Sequence, residues 1–314
     1  MKTVVVIGEI VVEILVETVG EGFAEPLALS GPYPSGAPAI FIDQVARLGQ
    51  PCGIVSCVGD DDFGRLNRSR LQADGVDVSA VAVDPSRPTG TAFVRYRSDG
   101  GRDFVFNIAH SASGRTRRTA EADALLSRAG HLHVTGASLF STALTQLTLD
   151  AIRQVRAQGG TVSFDPNVRK EMPGFETMRA AMGRILDQTD LFLPSGAELT
   201  LLTEAQDEAG ALTELTRRGI AVVHKQGAAG ARYVDAGQDI FAPGLAVDEV
   251  DPTGAGDCFG GAFVTFWLRG ATPRTALAHA VAAGAHAVTR RGPMEGVGRL
   301  ADLQTLLTRH SEPT

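Results

Sequence analysis

Short β-branched runs recur along the chain, and Gly, Asp or Asn stands at or near the end of each. They are "TVVVIGE" (3–9), "GIVSCVG" (53–59), "HLHVTG" (131–136), "GGTVSFDPN" (159–167), "LFLPSGAE" (191–198) and "IAVVHKQG" (220–227). Helical spacing fills most of the intervals. "PAIFIDQVARLG" (38–49) turns Ile42, Val45, Ala46 and Leu48 toward a core, and "LTQLTLDAIRQVRAQG" (144–159) is a second helix. Strands alternating with helices predict an α/β fold, a mostly parallel sheet wound on both faces. The strands are apolar almost without a break, as strands covered on both sides are.

Two segments interrupt this alternation. Residues 10–35 and 88–110 read as extended, polar-alternating strands, and "SDGG" inside the second is a hairpin turn signal. Paired, they would make a small β-sheet beside the main sheet, a lid over a cleft. No linker, repeat or low-complexity tract divides the chain, so one domain over 1–314 is expected.

Composition narrows the function classes. Of 314 residues, 44% are hydrophobic and 21% charged, which is ordinary for a globular protein. The net charge of -7 argues against a nucleic-acid surface. Cys52, Cys57 and Cys258 lack CxxC spacing and read as reduced, buried thiols of a cytoplasmic protein. The run "VVVIGEIVVEILVETV" carries Glu9, Glu13 and Glu17, so it reads neither as a secretion signal nor as a membrane span.

The chemistry concentrates at "DPTGAGDCFGGAFVTFWL" (251–268). Residues 258–268 carry no charge, so this helix should be buried, with its first amides in a dry place that favours an anion. Gly254 and Gly256 let the backbone turn sharply against a ligand. Asp257 has two readings. It is a good N-cap that would satisfy those amides itself. It is equally a general base that takes a proton from a hydroxyl beside an anion hole. The turn alone does not choose.

Polar clusters elsewhere fall at the carboxyl ends of the predicted strands, where wound α/β sheets bind ligands. They are "PSGAPA" near 35, "VGDDDFG" (58–64), "FDPNVR" (164–169), "PSGAE" (194–198) and "KQGAAGA" (225–231). Together with "DPTGAGD", in this order over essentially the whole chain, they resemble the ribokinase-like carbohydrate kinases of the phosphofructokinase-B type. The N-terminal half is most similar to ketohexose and 2-keto-3-deoxygluconate kinases. The resemblance implies ATP and Mg²⁺, a small sugar substrate, and often a homodimer formed through the lid, with no nucleic-acid or membrane partner. It makes Asp257 the base, and Gly254, Ala255 and Gly256 the anion hole. Glu13, Gly36, Asn167 and Arg169 would face the sugar. Ser195, Glu198, Lys225, Gly227 and Gly230 would line the nucleotide, with Glu198 reaching Mg²⁺ through water. Asp251 would help to hold a monovalent cation such as K⁺.

The chain departs from the family pattern at four places. Glu13 stands where relatives often carry Asp, Ile40 where they carry a sugar-binding Asn, Ser195 where they carry Asn, and Val281 where many carry Asn. Arg95, Arg97 and Arg102 lie on the expected lid; any of them could reach the pocket, while as a group they read as a solvated strand face. Two other classes compete: a non-catalytic sugar or nucleotide sensor on the same fold, and a dinucleotide oxidoreductase. The complete turn with Asp257 disfavours the first. The second lacks a G-x-G-x-x-G after the first strand.

Overall fold

The computed structural model describes residues 1–168 and 175–311, with backbone alone at 175–177 and 311. In chain order the strands are β1 (Thr3–Ile7), β2 (Val11–Val16), β3 (Leu29–Ser35), β4 (Cys52–Gly59), β5 (Val81–Asp84), β6 (Gly90–Tyr96), β7 (Arg102–Asn107), β8 (Ala129–Thr135), β9 (Thr161–Asp165), β10 (Leu191–Phe192), β11 (Ala221–Lys225), β12 (Gly230–Val234) and β13 (Asp239–Pro243). The helices are α1 (Ala37–Arg47), α2 (Asp62–Asp74), α3 (Ala120–Ser127), α4 (Thr142–Ala157), α5 (Phe175–Leu186), α6 (Glu198–Leu201), α7 (Glu208–Arg217), α8 (Ala255–Leu268), α9 (Pro273–Ala287) and α10 (Leu300–Ser311).

Among the described residues the main sheet has nine strands in the order β13-β12-β11-β10-β9-β8-β1-β4-β5. Its pairs are parallel except at the β11-β12-β13 edge. One apolar cluster packs α1, α8, α9 and α10 on one face, and a second packs α3, α4, α5 and α7 on the other. This is the predicted doubly wound sheet. The run expected as a strand over 191–198 keeps only Leu191–Phe192, because Pro194 has no amide to donate.

The segments expected to form a lid pair with each other in a separate sheet, β3-β2-β6-β7. β2 and β6 run parallel, and β6–β7 is the hairpin that "SDGG" foretold.

The helix α8 is buried along Asp257–Thr265. It lies against α1 closely enough that a Cβ on Gly261 would come within 2.6 Å of the Phe41 carbonyl oxygen. That approach explains a glycine where helix propensity disfavours one. No helix among the described residues is long and apolar enough to cross a membrane.

Candidate active site

The turn before α8 has Gly254 as its N-cap, with φ 80°. A side chain there would be strained, and its Cβ would meet the Pro293 carbonyl oxygen at 2.4 Å. Ile40, which is 2% exposed, packs beneath this same glycine; it is not among the residues that wall the small cavity described below. Asp257 therefore stands inside the first helical turn, not at the N-cap. It is buried, and its Oδ1 accepts from Asn167 Nδ2 at 3.0 Å.

Asn167 follows β9 with φ 40°, a left-handed conformation that Asn tolerates better than most residues. Its own amide donates to Asp165 Oδ1 at 3.1 Å. Its Oδ1 is buried and accepts no hydrogen bond from the described residues.

Lys225, at the end of β11, is 8% exposed and ion-paired to Asp165. A Cβ on Gly256 would lie 3.5 Å from its Nζ, so the ammonium sits directly beside the turn. Burial opposes its charge, but Asp165 and Glu198 outweigh burial and hold its pKa above the ordinary lysine value. Glu198 accepts from the amides of Val168 at 2.6 Å and Ser195 at 2.8 Å. Burial and the neighbouring Asp165 push its carboxyl above the usual range, against the pull of Lys225 and the two amides.

Two cavities meet at this turn. The larger, about 980 Å³, is lined by Ser195, Lys225, Gly227, Gly230, Ala255 and Gly256, with Phe259 and Val281 as an apolar wall. Gly230 also answers to its own neighbour strand: its φ is 119°, and a Cβ would strike the Ala242 carbonyl oxygen at 2.1 Å. The smaller cavity, about 50 Å³, lies under the lid and is lined by Glu9, Glu13, Gly36, Asn167, Arg102 and Thr253, among others. Ser138 donates to Glu9 at 2.6 Å and Ser35 donates to Glu13 at 2.7 Å. Gly36 caps α1 with φ 114°, close against the Glu9 carbonyl.

The lid arginines separate by role. Arg95 clamps the 21–25 loop through the carbonyls of Glu21 and Gly22 and through Glu25. Arg97 pairs with Asp99 and Asp103 on the surface. Arg102 instead enters the site: it lines both cavities and donates to Thr253 Oγ1 at 3.4 Å. Asp251 is 1% exposed. Its Oδ1 accepts from Tyr96 Oη at 2.5 Å and the Thr253 amide at 2.9 Å, and its Oδ2 accepts from the Gly292 amide at 2.9 Å. Protein donors thus account for the burial of this carboxylate.

Asp257, the glycine turn, Glu13, Gly36, Asn167, Ser195, Glu198, Lys225, Gly227 and Gly230 therefore lie in or beside these two cavities. Arg169 lies outside the described residues. Sequence reasoning misses three groups: Asp165, Glu9 and Tyr96. Asp165 sits inside "FDPN" with no signal of its own, Glu9 meets Ser138 beyond β8, and Tyr96 depends on how the lid docks. Of the three lid arginines that could reach the pocket, Arg102 does.

The chain is similar to known sugar kinases over nearly its whole length. The 2-dehydro-3-deoxygluconokinase of Thermoproteus tenax is 31% identical over 98% of this chain and 94% of its own. Probable fructokinase-5 of Arabidopsis thaliana is 29% identical over 98% of each. A putative ribokinase II from E. coli, in complex with ATP and Mg²⁺, is 46% identical with a TM-score of 0.93, covering 99% of this chain and 100% of that one. The pfkB family carbohydrate kinase model matches residues 1–298, and the chain belongs to that family of carbohydrate kinases.

Proposed function

We propose that this kinase transfers the γ-phosphoryl group of ATP to a hydroxyl of an uncharged ketohexose, with tagatose and fructose as first choices. The observation that carries the substrate class is the pair Glu9 and Glu13 in the wall of the cavity that Asn167 and Gly36 also line. Carboxylates chelate sugar diols and repel a carboxylated sugar. Among the described residues lining that cavity Arg102 is the one cation, and it is shared with the larger cavity. The idle Oδ1 of Asn167 is an acceptor for a substrate hydroxyl.

The reaction needs position and charge more than covalent help. The sugar oxygen attacks the γ-phosphorus, the bond to the β-γ bridging oxygen breaks, and ADP leaves. Asp257 takes the hydroxyl proton. The Gly254–Gly256 turn at the head of α8, with Arg102 and Lys225 beside it, faces the charge that spreads over the transferring oxygens. Phe259 and Val281 offer adenine an apolar wall.

Mg²⁺ fits this site by way of the nucleotide. Among the described residues no group of three His, Cys, Asp or Glu could cage an ion. Mg²⁺ commonly rests on one or two carboxylates and on phosphates. Glu198, its pKa held up by burial beside Asp165, is a carboxyl that a cation would relieve. When bound, Mg²⁺ supplies neutralisation of the nucleotide's phosphate charge.

The test is ADP formation over a panel of ketohexoses, 2-keto-3-deoxy aldonic acids and nucleosides. Turnover of a ketohexose supports the assignment. Turnover of carboxylated sugars alone contradicts it and favours the 2-keto-3-deoxygluconate reading.

A further inference from the structure

The lid and the turn meet at one buried carboxylate. Tyr96, the last residue of β6, donates to Asp251 Oδ1 at 2.5 Å and stands 3.1 Å from Thr253 Oγ1. Thr253 directly precedes the left-handed Gly254. The other oxygen of Asp251 holds the Gly292 amide, and the next carbonyl, that of Pro293, backs onto Gly254. Two more lid contacts land on the same short segment. The ring of Tyr33, in β3, packs so close to Gly292 that a Cβ there would lie 2.7 Å away. Arg291 donates to the Val16 carbonyl of β2 at 3.3 Å.

Among the described residues no lid strand is paired with the main sheet, and the contacts named here hold the turn through side chains. The cavity beneath it, about 50 Å³, has room for about three to five waters at roughly 10–15 Å³ each. The Tyr96–Asp251 contact joins this sheet to the residues that lead into the turn.

We propose that Tyr96 is a positioning residue for phosphoryl transfer. With the lid down, its hydroxyl fixes Asp251 and Thr253, and through them the Gly254–Gly256 turn; lifting the lid releases that hold. The inference rests on reading the turn as the phosphoryl-binding element. A hydrogen bond to a buried carboxylate is of the stronger kind.

The test is Tyr96→Phe, which removes one oxygen and keeps the ring, in steady-state assays of the full chain with MgATP and the best sugar of the panel. The expected result is a kcat lower by about tenfold, as for loss of a hydrogen bond to a charged group. KM for ATP and for sugar should move by less than about threefold, and the melting temperature should stay near that of the parent. A kcat within twofold of the parent, or a loss confined to KM, overturns the proposal. Asp257→Asn assayed alongside separates the two claims. If it is inactive while Tyr96→Phe turns over normally, the lid coupling alone falls. If it is fully active, the reading of the turn falls with it.

Discussion

Asn167 donates to Asp257 across 90 residues of chain, Nδ2 to Oδ1 at 3.0 Å, joining the end of β9 to the first turn of α8. The contact aims a buried carboxylate, and it comes from a residue held in a left-handed conformation by Asp165. Asn167→Ala should lower kcat by about 10–10²-fold, the scale of a base displaced by an ångström. Steady-state kinetics check this, and a thermal melt verifies that the fold survives. A variant with the parent's kcat would remove Asn167 from the catalytic arrangement.

The Lys225–Asp165 pair is buried on both sides, at 9% and 3% side-chain exposure. Removing one member leaves an uncompensated charge in a dry place. Lys225→Met should therefore destabilise the fold by about 3–5 kcal/mol, measured by urea unfolding. Adding Asp165→Leu should restore much of that stability, while turnover stays low because the turn has lost its cation. Recovery of activity with stability would make the pair purely structural.

Histidine burial makes the fold sensitive to acid. His131 is fully buried, with its ring nitrogens 2.8 Å from Thr161 Oγ1 and 2.8 Å from Ser163 Oγ. Burial, with Lys2 adding to it, lowers its pKa from 6.5 to about 3. The unfolded chain takes up this proton first, so the stability is complete above pH 6.5 and is lost as pH falls from there toward 3. Asp43 acts in the opposite sense. Burial raises it from 3.8 to about 8, so its folded form keeps the proton and stability declines as pH rises through that window. The measurement must therefore compare variants. Between pH 7 and 5, His131→Gln should lose about 2 kcal/mol less than the parent in urea unfolding. Equal losses would contradict the assignment.

Most of the frame was legible from periodicity. Apolar runs such as "HLHVTG" became β8 and the spacing of 38–49 became α1, because buried strands and one-sided helices have few alternatives. The site was legible where chemistry sits on the backbone: the glycines around 254–256 and the acid after them read as a turn before a buried helix. Two kinds of information were not. Gly254 and Asp257 both suit a helix entry, and only the observed φ of 80° gave the N-cap to Gly254. The three lid arginines look equivalent in sequence. Their separation into a loop clamp, a surface pair and a site residue depends on which way β6 and β7 face. Asp165, Glu9 and Tyr96 gain meaning only from partners 60, 129 and 155 residues away.

Proton removal by the acid at the head of α8 is the step on which turnover depends. The direct measurement is sugar-dependent ADP formation by Asp257→Asn, with ATP binding followed by calorimetry in the same preparation. Undiminished ATP affinity with kcat lower by at least about 10²-fold is the predicted result. Turnover equal to the parent's would contradict it.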